Sequence, residues 1–292
     1  MRQTAFPPPE SMTTKDDLQA WIDQAIHALV NSETPYLEAQ LVAAYVLGQS
    51  REWVIAHPET ILTSSQVGLL GNALKRLQTG EPLAYITGKR SFYGLEFKIS
   101  PAVLVPRPET ELLVEEAIHW LGSNPNQRSV ADVGTGSGII AITLADTFLD
   151  VKMSAVDISE PALAVARENA KAYAVQDRVK WFLNNLLEGI PGPFDLVLAN
   201  LPYIPSETLE SLAVSKFEPR LALDGGVDGL KLIRALLMQC QTRIQAHGAI
   251  FLEIESTLSN EVIELAYASF PQAEVTLVFD YAKLPRLIKI QL

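Results

Sequence analysis

The chain has 292 residues, 48% of them hydrophobic and 20% charged, a length that suits two domains and a composition that excludes disorder. A formal net charge of -11 argues against a protein built chiefly to grip nucleic acid, since Lys and Arg must neutralise the phosphates. One cysteine, Cys240, excludes an intramolecular disulfide and a cysteine-based metal cluster, and within Leu236, Leu237 and Met238 it reads as a buried thiol.

Residues 1 to about 12, with Pro7, Pro8 and Pro9, read as a loose leader. Glu10, Asp16 and Asp17 interrupt any apolar run there, so no signal peptide is expected. No stretch approaches the ~20 apolar residues of a membrane span, and a cytoplasmic protein is expected. From Thr14 to about Gly88 the apolar spacing is helical. Leu18, Trp21, Ile22, Ala25, Ile26 and Leu29 follow the i, i+3, i+4 rule, and Leu37, Leu41, Ala44, Tyr45 and Leu47 repeat it. A third run over Val67–Leu77 takes Ser64 or Ser65 as its N-cap. Four or five short helices form a first domain over residues 1–88, whose 5 Lys/Arg against 9 Asp/Glu exclude a nucleic-acid-binding arm. Trp21, Trp53 and Tyr45 fall at helical spacing and belong to its core rather than to a base-stacking platform. His27, His57, His119 and His247 share no metal-ligand spacing, so no metal is expected.

Over residues 89–106 the pattern changes to alternation, and Phe92, Gly94, Phe97 and Ile99 predict a hairpin linking the two parts. A second domain spans residues 107–292. Pro106, Arg107 and Pro108 open a helix whose first turn holds Glu109, Thr110 and Glu111, where carboxylates suit the dipole. Arg107 and Glu109 either clamp a loop over a bound ligand or merely start that helix. Strands are predicted at 130–133, 152–157, 179–183, 194–199, 248–254, 274–279 and 286–291. Helices are predicted near 109–121, 138–147, 160–173, 229–246 and 257–269. This alternation gives an α/β fold with a mostly parallel sheet covered on both faces. The last two strands are separated only by Asp280–Pro285, too few residues for a crossover helix, so that pair must be antiparallel.

Val130–Val133 is a buried strand that runs into Gly134-Thr135-Gly136-Ser137-Gly138 and a helix start. Glycines let the backbone turn with positive φ and let a ligand approach main-chain N–H groups. The spacing is not that of a dinucleotide fingerprint, and no Lys-Ser/Thr comes after it as in a phosphate-binding loop. Ser137 lacks the surroundings of a hydrolase nucleophile. Asp157 ends the next strand, 25 residues after Asp132, at the carboxyl edge where open α/β sheets bind ligands. A carboxylate there can accept both hydroxyls of a ribose; the plainer reading is a helix cap, a role Ser159 fills equally well. With no diphosphate device, adenosine carrying a non-phosphate tail fits better than NAD.

Phe194–Ala199 is another buried strand, and Asn200-Leu201-Pro202-Tyr203 lies just past its end, over the same crevice. An amide nitrogen is a poor nucleophile because its lone pair is delocalised. Attack on a sulfonium methyl needs the NH2 hydrogens held by acceptors and the lone pair turned to the carbon. An Asn oxygen and a backbone carbonyl supply two acceptors, and an aromatic ring stacks on the planar group.

At these residues the sequence resembles the HemK-type release-factor glutamine methyltransferases. The likeness runs through Glu81-Pro82-Leu83-Ala84-Tyr85-Ile86-Thr87-Gly88, Val105-Pro106-Arg107-Pro108-Glu109-Thr110-Glu111, the glycine turn, Asp157 and Asn169-Ala170. It continues through Asn200–Tyr203, Phe217-Glu218-Pro219 and Leu223-Asp224-Gly225-Gly226-Val227-Asp228-Gly229-Leu230. The resemblance implies a seven-stranded, Rossmann-like class I methyltransferase domain behind a small helical domain that recognises substrate. It implies S-adenosylmethionine as cofactor, held by Gly134, Thr135, Gly136, Ser137, Gly138, Asp157, Asn185, Leu186 and Asn200. Catalysis falls to Asn200, Leu201, Pro202 and Tyr203. The implied partner is a peptide chain release factor, methylated on the glutamine of its Gly-Gly-Gln loop by a monomeric enzyme without direct contact to nucleic acid or membrane.

Two positions depart from the family pattern. Leu201 stands where the family usually has proline; its backbone carbonyl still offers the acceptor, and Pro202 keeps it extended. Asn185-Leu186 replaces an acidic residue followed by Trp or Leu, so any bond to an adenine amino group is uncharged. The competing readings are an adenine-N6 methyltransferase on DNA or RNA, which needs the same two acceptors, and a cofactor-binding protein whose catalysis has decayed at Leu201.

Overall fold

The computed structural model describes residues 17–292, so the leader expected over residues 1 to about 12 lies outside the described part. The chain divides into two compact units, Met1–Thr87 and Gly88–Leu292.

In the first unit, five helices are seen among the described residues. They are α1 Leu18–Ala28, α2 Pro35–Leu47, α3 Arg51–Ala56, α4 Ser64–Gln78 and α5 Leu83–Thr87. Asp17 caps α1 by accepting from the Ala20 N–H at 2.7 Å. The cap of α4 is Thr63, not Ser64 or Ser65. Its hydroxyl accepts from the Gln66 N–H while the Gln66 side chain accepts from the Thr63 N–H, a reciprocal capping box that neither serine can form. Leu18, Trp21, Ile22 and Ala25 pack with Ala39, Val42, Ala43 and Leu70 in one core. The buried face of α2 is thus Ala39, Val42, Ala43 and the expected Ala44, while Leu37 and Tyr45, expected inside, are exposed. This helix is apolar on nearly every side, so spacing alone does not choose its inner face. Small side chains win because they let neighbouring helices approach closely.

The second unit opens with a hairpin, β1 Lys89–Phe92 and β2 Leu95–Lys98, which Asn169 and Tyr173 tie to the rest of the unit. Asn169 accepts from the Lys98 N–H at 2.8 Å and donates to its carbonyl at 3.0 Å, and the Tyr173 hydroxyl donates to the Glu96 carbonyl at 2.6 Å. Next come α6 Thr110–Ser123, β3 Ser129–Val133, α7 Ile139–Thr147, β4 Lys152–Asp157, α8 Glu160–Ala172, β5 Val179–Leu183 and β6 Phe194–Ala199. The short α9 Ser206–Leu209 precedes α10 Lys231–Cys240, β7 Ile244–Glu253, α11 Ser259–Ser269, β8 Glu274–Phe279 and β9 Pro285–Gln291.

Seven strands form one sheet in the order β5-β4-β3-β6-β7-β9-β8. The first five in that order run parallel, and β9 pairs antiparallel with both β7 and β8. Cys240, Leu236 and Leu237 of α10 and Val262 of α11 cover the face that carries Ala131, Val133, Val197, Ala199 and Ile250. The opposite face meets α6 and α7: Trp120 packs edge-on against Phe251, and Asp132 accepts from the Ala141 N–H. Among the described residues no helix is long and apolar enough to cross a membrane.

One helix of this unit departs clearly from expectation. The predicted 229–246 helix stops at Cys240, and the next strand starts at Ile244 rather than 248. Ile244 continues the i, i+4 spacing of Leu236 and Cys240, yet it pairs with Phe194 across a bulge, where the Phe194 N–H donates to the Arg243 carbonyl at 2.7 Å. Strand pairing overrides periodicity there.

Candidate active site

The chain runs outward from β3 through β4 to β5, then returns to the other flank of β3 as β6. Adjacent carboxyl ends whose connections leave in opposite directions open a crevice, so Gly134 and Asn200 face one hollow. That hollow is a cavity of about 680 Å³ whose wall includes Gly134, Gly136, Asp157, Asn185, Leu186 and Asn200.

Asp157 is half-buried at the rim. Its Oδ2 accepts from the Gly136 N–H at 2.8 Å and its Oδ1 from the Ser159 N–H at 2.9 Å. Burial pushes its carboxyl above the ordinary range, and the N–H donors from Ser159 and Gly136 oppose that. Ser159 caps α8 by accepting from the Ala162 N–H, so the cap does not depend on Asp157. Each carboxylate oxygen keeps a second acceptor site for a ligand hydroxyl.

The other glycine-turn residues act behind the cavity wall. Thr135 donates to Asp132 Oδ2 at 2.5 Å, and the Ser137 carbonyl accepts from Asn169 at 2.9 Å. Gly138 has φ of 83°, and a Cβ there would lie 2.8 Å from Ile142 Cδ1 of α7 and 3.1 Å from Ala166 Cβ of α8, so glycine allows α7 and α8 to close up. Asp132 is fully buried; desolvation raises its pKa to about 7, and its Oδ1 is buried without a partner. The cavity thus offers glycine backbone, a carboxylate at the rim and the apolar Val156 and Ala162, surroundings that fit an adenosine bearing a non-phosphate tail.

Asn200 and Leu201 also line the cavity, whereas Pro202 and Tyr203 stand outside its wall. The Leu201 side chain turns into the core beneath Gly134, where it is 4% exposed. Asn200 Nδ2 donates to Thr110 Oγ1 at 3.1 Å. Ala199 pairs with Leu252, which brings Glu253, the last residue of β7, level with Asn200. Glu253 is buried and raised to about 7 by desolvation first of all, a rise that the neighbouring Thr110 and Asn200 side chains oppose. Tyr203 is pushed up to about 12 by burial, then by the nearby Glu253 and Glu255 carboxylates, so it stays neutral.

The loop is braced from outside. The Ile204 N–H donates to the Leu223 carbonyl at 3.1 Å, and the Gly225 N–H donates to the Ile204 carbonyl at 2.8 Å. A Cβ at Gly229 would sit 2.3 Å from the Tyr203 carbonyl oxygen, which is why glycine stands there. Arg107 donates to Glu218 at 2.5 Å, and Glu218 Oε2 accepts from the Val105 N–H at 3.1 Å. Arg107 therefore clamps the 105–108 segment to 217–219 as well as preceding α6, while Glu109 occupies the α6 N-cap without a side-chain cap bond. In the sequence Thr110 reads only as a first-turn residue, and no motif gives Glu253 a role. No local pattern could join them, because contact between them needs the α6–sheet packing.

Likeness to known proteins divides at the same place. Residues 20–88 match the family described as "PrmC N-terminal domain", and residues 109–217 match "Methyltransferase small domain". A release factor glutamine methyltransferase of Moorella thermoacetica is 38% identical over 252 residues, covering 86% of this chain and 89% of that one. One from Salmonella typhimurium is 33% identical over 267 residues, covering 91% and 95%. A 16S rRNA guanosine-N2 methyltransferase from T. thermophilus, solved with AdoMet and guanosine, shares the fold with a TM-score of 0.51. It is 18% identical and covers 70% of this chain and 49% of its own. With identity of a third or more over most of both chains, this chain belongs to the release factor glutamine methyltransferases, a family of S-adenosylmethionine-dependent enzymes.

Proposed function

We propose that this protein transfers a methyl group from S-adenosylmethionine to the side-chain amide nitrogen of the glutamine in the Gly-Gly-Gln motif of peptide chain release factors. The observation that carries this reading is Asn200, on the same cavity wall as Gly134 and Asp157, with its own NH2 tied back to Thr110. The relatives are named for release factor glutamine methylation, which supplies the substrate class. Bound cofactor supplies an electrophilic methyl on a sulfonium sulfur. Asn200 Oδ1 accepts one hydrogen of the incoming amide and the Leu201 carbonyl the other, which localises the nitrogen lone pair. Tyr203 flanks the planar group. The N–C bond forms as the C–S bond breaks, and one N–H proton then leaves to solvent. No strong base is needed beforehand, so orientation and electrostatics carry the rate. Residues 1–88 serve as the substrate-recognition domain, and the enzyme acts as a monomer in the cytoplasm.

One assay tests this reading: labelled methyl transfer to a release factor, to its Gly-Gly-Gln→Gly-Gly-Ala variant, and to duplex DNA. Label on the first alone is expected. Label on DNA would move the activity to adenine, and label on none of them would leave a cofactor-binding protein without this transfer activity. Removing residues 1–88, with folding checked by circular dichroism, should abolish transfer and keep cofactor binding.

The ribose assignment has its own test. Asp157→Ala should weaken S-adenosylmethionine binding by about 1.5–3 kcal/mol, the range for hydrogen bonds to a charged group. Unchanged affinity in calorimetry would remove Asp157 from the cofactor site.

A further inference from the structure

Glu253 is the last residue of β7, 4% exposed, and an ionisable carboxylate in a sheet core is costly unless it has work to do. Its Oε2 is buried with no hydrogen-bond partner. The neighbouring side chains that favour its charged form are the Thr110 hydroxyl and the Asn200 amide. Thr110 Oγ1 accepts from Asn200 Nδ2 at 3.1 Å, which leaves the one hydroxyl proton available to the Glu253 carboxylate beside it. The two groups beside the Asn200 NH2, Thr110 Oγ1 and the Glu253 carboxylate, are therefore both acceptors toward it.

An asparagine amide can sit in two orientations half a turn apart, and only one presents Oδ1 to a substrate NH2. In the reversed orientation Oδ1 would meet the Glu253 carboxylate and a hydroxyl already committed elsewhere. We propose that Glu253 is a positioning residue for methyl transfer: with Thr110 it locks the Asn200 side chain so that Oδ1 faces the reacting amide. The same charge, behind the Asn200 amide, polarises it and strengthens Oδ1 as an acceptor when positive charge grows on the attacking nitrogen. The arrangement also disfavours a carboxylate in place of the amide, since a glutamate side chain would bring two acceptors against Oδ1. This inference rests on the proposed glutamine methylation.

The Glu253 neighbourhood also holds Glu109 at the start of α6, Arg286 of β9, and Tyr203 and Glu255 at the loop ends. Tyr203 stays neutral and Arg286 is held above its ordinary value by Asp280, so neither changes charge near neutrality. The Glu253 carboxyl is raised from 4.5 to about 7. Because the raised value is the folded one, its contribution to stability is present below about pH 4.5 and is lost as pH rises through about 7. Glu253→Gln therefore melts no lower than wild type at pH 8, which separates a slower enzyme from a misfolded one.

Two measurements decide the matter. In single-turnover methylation of a release factor at pH 8 with cofactor saturating, Glu253→Gln should be about tenfold slower, with cofactor affinity within twofold of wild type. The wild-type rate should fall as pH drops through about 7, and this limb should vanish in the variant. A variant within twofold of wild type, or one that keeps the limb, which would then belong to Asp132, overturns the proposal. The second measurement needs no substrate: the Asn200 side-chain NH2 signals in 15N-asparagine-labelled protein, identified by their loss in Asn200→Ala. They should shift with a midpoint near pH 7 in wild type and not in Glu253→Gln. Signals indifferent to both pH and substitution overturn the lock. If wild type fails to methylate the release factor while these signals respond, the glutamine reading falls and the lock stands.

Discussion

Asn200→Ala is expected to slow single-turnover methylation of a release factor by ~10²-fold or more, the scale for losing one preorganised polar partner at the reacting atoms. The variant removes an acceptor used on the nucleophile itself. Asp157 and the glycine turn are untouched, so cofactor affinity should change far less than turnover. Leu201→Pro makes the informative contrast. If the backbone carbonyl of residue 201 does the chemical work, a proline ring adds only rigidity, ~0.4–1 kcal/mol, and turnover shifts a few-fold at most. The Leu201 side chain is packed in the core beside Gly134, so the variant also gives up buried contacts and should melt somewhat lower. A proline variant several hundred-fold faster would show that the natural loop is poorly ordered. An alanine variant at residue 200 with full activity would end the amide-clamp mechanism.

The second large effect comes from a residue that touches no ligand. Gly229→Ala should abolish most methyl transfer and lower stability by roughly 2–4 kcal/mol, combining left-handed strain with overpacking. Its φ is +76°, and the added Cβ would lie 2.3 Å from the Tyr203 carbonyl oxygen and 3.2 Å from Leu258 Cδ1. Neither backbone can yield without moving the 200–203 loop off the cavity rim. Gly71→Ala in α4 is the matched control. It has ordinary backbone and nothing within 4 Å of the new methyl, and alanine is the better helix former there. Its stability should hold or rise, with activity unchanged. Equal behaviour of the two variants, read by thermal melting and single-turnover rates, would show that Gly225–Gly229 does not brace the loop.

The two motifs that form the cavity floor and rim were legible because they are local. Gly134–Gly138 advertises a tight strand-to-helix turn, Asp157 stands at the end of the next strand, and Asn200-Leu201-Pro202-Tyr203 comes directly after a third. Six of the seven predicted strands of the sheet fall within two residues of their expected bounds, because alternating or continuous apolar runs bounded by turn residues need no tertiary information. Periodicity fails where tertiary pairing competes with it. Ile244 fits the α10 spacing yet pairs with Phe194, and α2 is too evenly apolar for spacing to choose between Leu37 and Val42 as its inner face.

By itself, then, the chain's order of residues determined the strand–helix alternation, the mostly parallel sheet, the glycine turn with its acidic partner, and the family resemblance. Each depends on neighbours within one strand–helix–strand unit or on a run of matched segments. Only the tertiary structure decided that Arg107 is paired with Glu218, that Gly229 makes room for the Tyr203 backbone, and that Asn200 bonds Thr110 beside the buried Glu253. The partners in these contacts lie from 26 to 143 residues apart in the chain. Strand register and helix packing join them by placing distant side chains at the same carboxyl edge, and no spacing rule along the chain encodes that meeting.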